Sequence, residues 1–274
     1  MSEPVITSIA NPLIRRIRLL AQRKHREAEG AFFVEGIRPV WEAVESRASV
    51  EVIVIAPELL TSEAAGQMIE AQRRAGTRIV RVSPRVYEGI AERDHPSGLG
   101  ALVRINQRTL ANFDAGPSSF FVAVQDVGNP GNLGTIIRTV DGAGASGVIL
   151  VGHSTDPYHP TAVKASMGTL FRVPTARVAA NDDLATWCRS QGVGIITTSA
   201  RAPLLYWAAP FTLPAVFLFG SEGEGLRDEE WSQGDTAIRI PMSGSADSLN
   251  LAVSVGVVLY EVKRRLAGQD PKGL

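Results

Sequence analysis

The chain has 274 residues, 45% of them hydrophobic, and its 28 basic and 28 acidic side chains cancel to zero net charge. That length suits two domains, and the apolar content supplies a sizeable core. A single cysteine, Cys188, excludes an internal disulfide and any cysteine-cluster zinc site, and no apolar run reaches the ~18 residues of a membrane helix.

The first residues lack the basic-then-apolar pattern of a signal peptide, so the expectation is a cytoplasmic protein with no membrane partner. Asn11 and Pro12 fit the cap and first position of a helix on which Leu13, Ile17 and Leu20 recur at helical spacing. Arg15, Arg16, Arg18, Arg23, Lys24 and Arg26 stand against one acid, Glu3, within residues 1–26, six against one for a net of +5. Two readings stay open for this run: a solvated helix face, or a patch that follows the phosphates of a nucleic acid. Strands are predicted at 32–34, 50–55, 78–82 and 99–105, and helices at 39–44 and 58–74. Alternation of this kind predicts a small three-layer α/β unit over 1–106. Residues 107–117, weakly periodic and ending in Gly-Pro, read as a linker.

The second unit, 118–274, opens with Phe120–Val124, a continuous apolar run of the kind found in buried parallel strands. Similar runs lie at 147–151, 194–198, 216–219 and 237–240. Helices fit between them at 135–143, 162–170, 182–191 and 226–233, with a last one from about Ser248 to Leu266. Cys188, beside Trp187 on one of these helices, reads as a packing residue.

Several motifs interrupt this pattern. Gly142-Ala-Gly-Ala-Ser-Gly147 has the spacing of a dinucleotide fingerprint, but a helix precedes it and a strand follows, the reverse of the order that aims a helix N-terminus at a pyrophosphate. It reads as a helix cap and turn, which argues against a dinucleotide-dependent enzyme. Asn129-Pro-Gly-Asn132 reads as a turn after a strand, with Arg138 about two turns into the next helix, where it serves as an exposed arginine or a two-pronged phosphate ligand. His153 and His159 lack companions at ligand spacing, so no metal is expected. Gly220-Ser-Glu-Gly-Glu-Gly225 follows a buried strand. Its carboxylates, Glu222 and Glu224, disfavour a phosphate loop and suit a cationic ligand; a plain acidic turn remains the alternative. Ile240–Ala252 joins a strand end to a short polar stretch, with Ser248-Leu-Asn250 opening the last helix.

Taken together and in this order, Asn129–Arg138, Leu218–Leu226 and Ile240–Ala252 resemble the three motifs of the SpoU (TrmH-type) family of RNA ribose methyltransferases. Asn11-Pro12 and Phe33-Val-Glu-Gly36 look like the substrate-binding domain often found ahead of such enzymes, although His95-Pro-Ser-Gly98 departs from the usual Thr-Pro-Gln-Gly. The resemblance implies an α/β SPOUT-type methyltransferase domain with a parallel sheet, its C-terminal segment threaded as a trefoil knot, preceded by a small α/β RNA-binding domain. It implies S-adenosylmethionine as cofactor, a homodimer, and RNA, ribosomal above all, as partner. Carried over by motif, Thr198, Gly220, Ile240 and Leu249 would border the cofactor, and Asn132, Arg138, Glu222, Ser248 and Asn250 would surround the methyl transfer. Lys164 and Ser166, within Lys-Ala-Ser-Met-Gly168, would touch the RNA; lysine stands where the family has arginine. The implied reaction is attack of a ribose 2′-hydroxyl on the sulfonium methyl. Transfer RNA as substrate, and an RNA-binding protein that has lost catalysis, are the competing readings.

Overall fold

The structure is a computed structural model that describes residues 4–92, 95–231 and 234–269. The chain divides into two units, Met1–Asn106 with Asp156–Arg172, and Gln107–Thr155 with Val173–Leu274.

In the first unit, α1 (Pro12–Leu19) starts as expected: Asn11 accepts the Leu13 amide and Pro12 takes the first helical position. A second short helix, α2 (Arg23–Glu29), was not anticipated, and Gly30 ends it at φ 60°. There follow β1 (Ala31–Glu35), α3 (Ile37–Glu45), β2 (Val50–Ile55), α4 (Glu63–Arg74), β3 (Arg78–Arg81), α5 (Pro84–Glu88) and β4 (Leu99–Arg104). The predicted helix from Glu58 begins five residues later, because Ser62 caps it by accepting the Ala65 amide. The sequence gives no apolar period for α5, which is one turn long and nucleated by Ser83 and Pro84. The sheet order is β1-β4-β2-β3; β4 is antiparallel to both its neighbours and β2–β3 is parallel. Ile14 and Ile17 of α1, with Leu20 at its C-cap, pack on Val52, Val54, Val80 and Leu102. The segment Asp156–Arg172 adds a helix, Pro160–Ser166, and a 3-10 turn, Thr169–Phe171. The helix predicted through Leu170 stops at Ser166 because Met167 and Gly168 turn left-handed, φ 52° and 94°. A Cβ on Gly168 would sit 2.6 Å from Glu42 Cγ.

In the second unit, β5 (Phe120–Gln125), α6 (Pro130–Ala143) and β6 (Gly147–Val151) precede the helix Pro160–Ser166, which is α7. Then come β7 (Thr175–Val178), α8 (Asn181–Gln191), β8 (Gly194–Thr198), β9 (Leu204–Leu205), β10 (Ala215–Phe219), α9 (Asp228–Trp231), β11 (Thr236–Arg239) and α10 (Leu251–Gln269). The short edge strands β7 and β9 lack the apolar run that marks the interior ones. Asn129-Pro130 is a helix start rather than a free turn: Asn129 accepts the amides of Gly131 and Asn132. Gly144, φ 79°, caps the far end of α6, as the reading of Gly142–Gly147 as a helix cap and turn expects. The predicted end of a helix at Gln233 lies outside the described residues, and α9 is a single turn.

All pairings in this sheet are parallel, and its order is β7-β6-β5-β10-β8-β11-β9. The segment read as a linker carries a 3-10 turn, Leu110–Asn112, and buries Phe113 between Phe121 and Trp187, ring centroids 5.7 and 6.4 Å away. Cys188 lies in the same core; burial, aided by the Asp235 charge, pushes its thiol up to about 12.

Candidate active site

Strands β10, β8 and β11 are adjacent and parallel, so their C-terminal ends, at Phe219, Thr198 and Arg239, open on one side of the sheet. In open α/β sheets ligands bind outside the carboxyl ends of strands. A crevice of about 260 Å³ lies there, and Thr198, Gly220, Ile240, Ser248 and Leu249 all line it. The loop after β10 is closed on itself: the Gly225 amide donates to Ser221 O at 3.1 Å and the Glu224 amide to Ser221 Oγ at 3.3 Å. Gly220 is buried against that return, where a Cβ would overlap the Gly225 carbonyl group and the Leu226 amide. Thr198 borders the crevice, with its hydroxyl donating to Leu218 O at 3.1 Å.

Three of the predicted polar residues form a connected chain. Asn250 Nδ2 donates to Asn132 Oδ1, and Asn132 Nδ2 donates to Glu222 Oε1, each at 3.0 Å. Glu222 also accepts the Gly128 and Asn129 amides, at 3.1 and 3.2 Å. Asn250, not Ser248, caps the last helix: its Oδ1 accepts the Ala252 amide at 2.9 Å. One side chain thus fixes both the start of α10 and the orientation of Asn132. Burial works to raise the Glu222 carboxyl, but the bonds from Asn132, Gly128 and Asn129 outweigh it and hold the group below its ordinary value. A group so depressed contributes stability above its ordinary value and loses it as pH falls through the folded-state value. NMR titration of the Glu222 carboxyl is therefore expected to give a low midpoint that Asn132→Ala shifts upward; an unmoved midpoint would remove Asn132 as its anchor.

The remaining predicted residues are placed differently. Arg138 is exposed and outside this chain of bonds, six residues beyond Asn132 on α6, an axial rise of about 9 Å. Arg15, Arg18, Lys24 and Lys164 are exposed, as the phosphate reading requires, and Arg23 is exposed beside Glu27. Arg16 is held by Glu51 and Glu29. Arg26 and Ser166 contradict a role in touching RNA. Arg26 is 1% exposed and bonded to Asp156. Ser166 is fully buried and donates to Val163 O at 2.8 Å, the back-bonding of a helix-end hydroxyl. Sequence reasoning missed the crevice residues Ser199, Arg201 and Asp247; polar residues directly after a strand end are the signal that marks the first two. Among the described residues, no group of His, Cys, Asp and Glu is placed to hold a metal ion, and no helix is long and apolar enough to cross a membrane.

The sheet and crevice define an α/β protein with a crevice at the carboxyl ends of a parallel sheet. Residues 119–260 match the SpoU rRNA Methylase family, and residues 11–101 the MRM3-like substrate binding domain. The chain is 31% identical to a 23S rRNA (uridine(2479)-2′-O)-methyltransferase of Streptomyces viridochromogenes, across 92% of this chain and 89% of that protein. It is 26% identical to the 23S rRNA (guanosine(2553)-2′-O)-methyltransferase RlmP of Bacillus subtilis, across 94% and 98%. The crystal structure of an AdoMet-bound rRNA methyltransferase from Sinorhizobium meliloti matches with a TM-score of 0.87 at 35% identity, covering 96% of this chain and 98% of that one. The chain belongs to the SpoU rRNA methylase family.

Proposed function

We propose that the chain methylates a ribose 2′-hydroxyl of ribosomal RNA with S-adenosylmethionine, acting in the cytoplasm as a homodimer. The observation that carries this reading is the meeting of three strand ends beside the Glu222–Asn132–Asn250 chain. The crevice fits the cofactor: Gly220 lets a ligand approach the backbone, and Glu222, Glu224 and Asp247 complement a ligand bearing sulfonium and ammonium charges. When bound, the cofactor supplies an electrophilic methyl group. Backbone groups of Gly220, Ile240 and Leu249, with Thr198 at the edge, hold it; Asn132 and Asn250 orient the reacting groups, and Glu222 and Ser248 position the ribose. Arg138 fixes the acceptor phosphate and stabilises the developing alkoxide, while a substrate phosphate or water takes the proton. Arginine stays protonated in water, which disfavours it as a literal base.

In this reading residues 1–106 bind substrate, 107–117 join the domains and 118–274 catalyse, with the C-terminal segment threaded as a trefoil knot. Exposed Arg15, Arg18, Arg23, Lys24 and Lys164 supply phosphate contacts. The homodimer is supported by an apolar stripe on α10, where Val253 is 51% and Tyr260 54% exposed. Arg138 shares the α6 face of Gly142, whose Cβ position lies 3.3 Å from Tyr260 Oη, so it adjoins that stripe. The double substitution Val253→Asp, Tyr260→Asp is expected to halve the mass measured by light scattering; an unchanged mass sends the interface elsewhere.

Mapping 2′-O-methylation in ribosomal RNA from cells with and without the gene tests the function. One ribose is expected to lose its methyl group and to regain it when purified protein and S-adenosylmethionine are added. Calorimetry should show binding of that cofactor and none of NAD. An unchanged map with no cofactor binding would overturn the assignment, and RNA binding alone would leave a non-catalytic RNA-binding protein.

A further inference from the structure

Among the described residues lining the crevice, Arg201 is the only cation, set against Glu222, Glu224 and Asp247. If the cofactor reading holds, the amino-acid end of the ligand brings a carboxylate into this acidic surrounding, where it needs a counter-charge. We infer that Arg201 is the arm that binds this carboxylate, held ready by exchange with Asp228. The inference rests on the cofactor proposed above and adds a residue that no motif of the chain points to.

The geometry supplies a fixed root and a movable head. The Arg201 amide donates to Ser199 Oγ at 3.2 Å, and the next residue, Ala202, is fully buried with its amide on Ser199 O at 3.1 Å. Arg239 Nη1 pins the Ala202 and Pro203 carbonyls at 2.6 and 2.7 Å. The backbone is thereby tied to β8 and β11 on both sides of the arginine. The guanidinium, in contrast, meets Asp228 in a two-pronged pair, 2.6 and 3.2 Å, with both side chains about two-thirds exposed, 65% and 66%. Pairs this exposed are weak. A ligand carboxylate offers the planar fork the same two-pronged geometry, so Asp228 acts as a stand-in and competitor for it.

The two halves of the ion pair therefore have opposite effects, which a merely structural strap would not produce. Calorimetry on the full chain uses S-adenosylmethionine and its decarboxylated analogue, which keeps the adenosine, sulfonium and ammonium. Arg201→Ala is expected to weaken S-adenosylmethionine roughly tenfold and leave the analogue unchanged, as loss of a charge-assisted bond predicts. Asp228→Asn is expected to tighten S-adenosylmethionine about threefold by removing the competitor. Equal weakening of both compounds by Arg201→Ala, or weakening by Asp228→Asn, overturns the role of Arg201 and leaves the cofactor site standing. Failure of the native chain to bind either compound overturns the cofactor reading and this inference with it.

Discussion

Arg26→Ala is expected to lower stability by about 3–5 kcal/mol, because it strips one partner from a buried charge pair. The Arg26 side chain is 2% exposed and that of Asp156 13%. Nε and Nη2 donate to Asp156 Oδ2 at 2.8 and 2.6 Å, while Nη1 donates to the Leu20 and Ala21 carbonyls at 2.7 and 2.8 Å. Those carbonyls lie just past the end of α1, where helical groups lack partners and a cation is favoured. The guanidinium thus turns the chain from α1 into α2 and ties down Asp156, whose Oδ1 accepts the Tyr158 amide at 2.9 Å. Urea denaturation gives the stability change. Arg26→Met with Asp156→Leu is expected to recover much of the loss, since an apolar pair leaves no stranded charge. RNA binding measured across salt concentrations separates this role from phosphate contact. Removing exposed Arg15 or Lys24 should shrink the slope of log affinity against log salt by about one contact's share; Arg26→Met should leave the slope of the folded protein unchanged. A reduced slope for Arg26→Met would return it to the RNA surface.

Arg26 also shows where sequence reading stops. Along residues 15–26 all six cations look alike, and only the distant Asp156, Glu29 and Glu51 decide which are structural. Partners 35 or 130 residues away leave no local period. The interior strands β5, β6 and β10 were legible because strands buried on both faces read as unbroken apolar runs. Helix ends were legible where caps are chemically specific, as at Asn11 and Gly144, and misplaced where one of several polar residues could cap, as at Ser248 against Asn250. Strand order, with β10 inserted between β5 and β8, is fixed by long-range pairing and has no signature in the sequence. Yet that order is what brings Gly220, Thr198 and Ile240 to one crevice, so the motifs named residues whose meeting place they did not reveal.

Arg138→Ala is expected to cut turnover about 10²–10³-fold, the usual effect of removing a group that stabilises an oxyanion, while leaving cofactor affinity unchanged. The affinity expectation follows from the structure: Arg138 is exposed on α6 and is not among the residues lining the crevice. The rate expectation follows from the chemistry, since a sugar hydroxyl becomes an effective nucleophile only as its proton departs, and the charge then building on oxygen needs a fixed cation. A lysine keeps the charge but loses the planar two-pronged grip on phosphate. Arg138→Lys should therefore retain measurable turnover with a raised KM for RNA, whereas Arg138→Ala should lose most of kcat. Equal and complete loss in both variants would mean that geometry specific to guanidinium, not its charge, is what the reaction requires. Weakened cofactor binding in Arg138→Ala would place the residue inside the crevice, against its exposed position on α6.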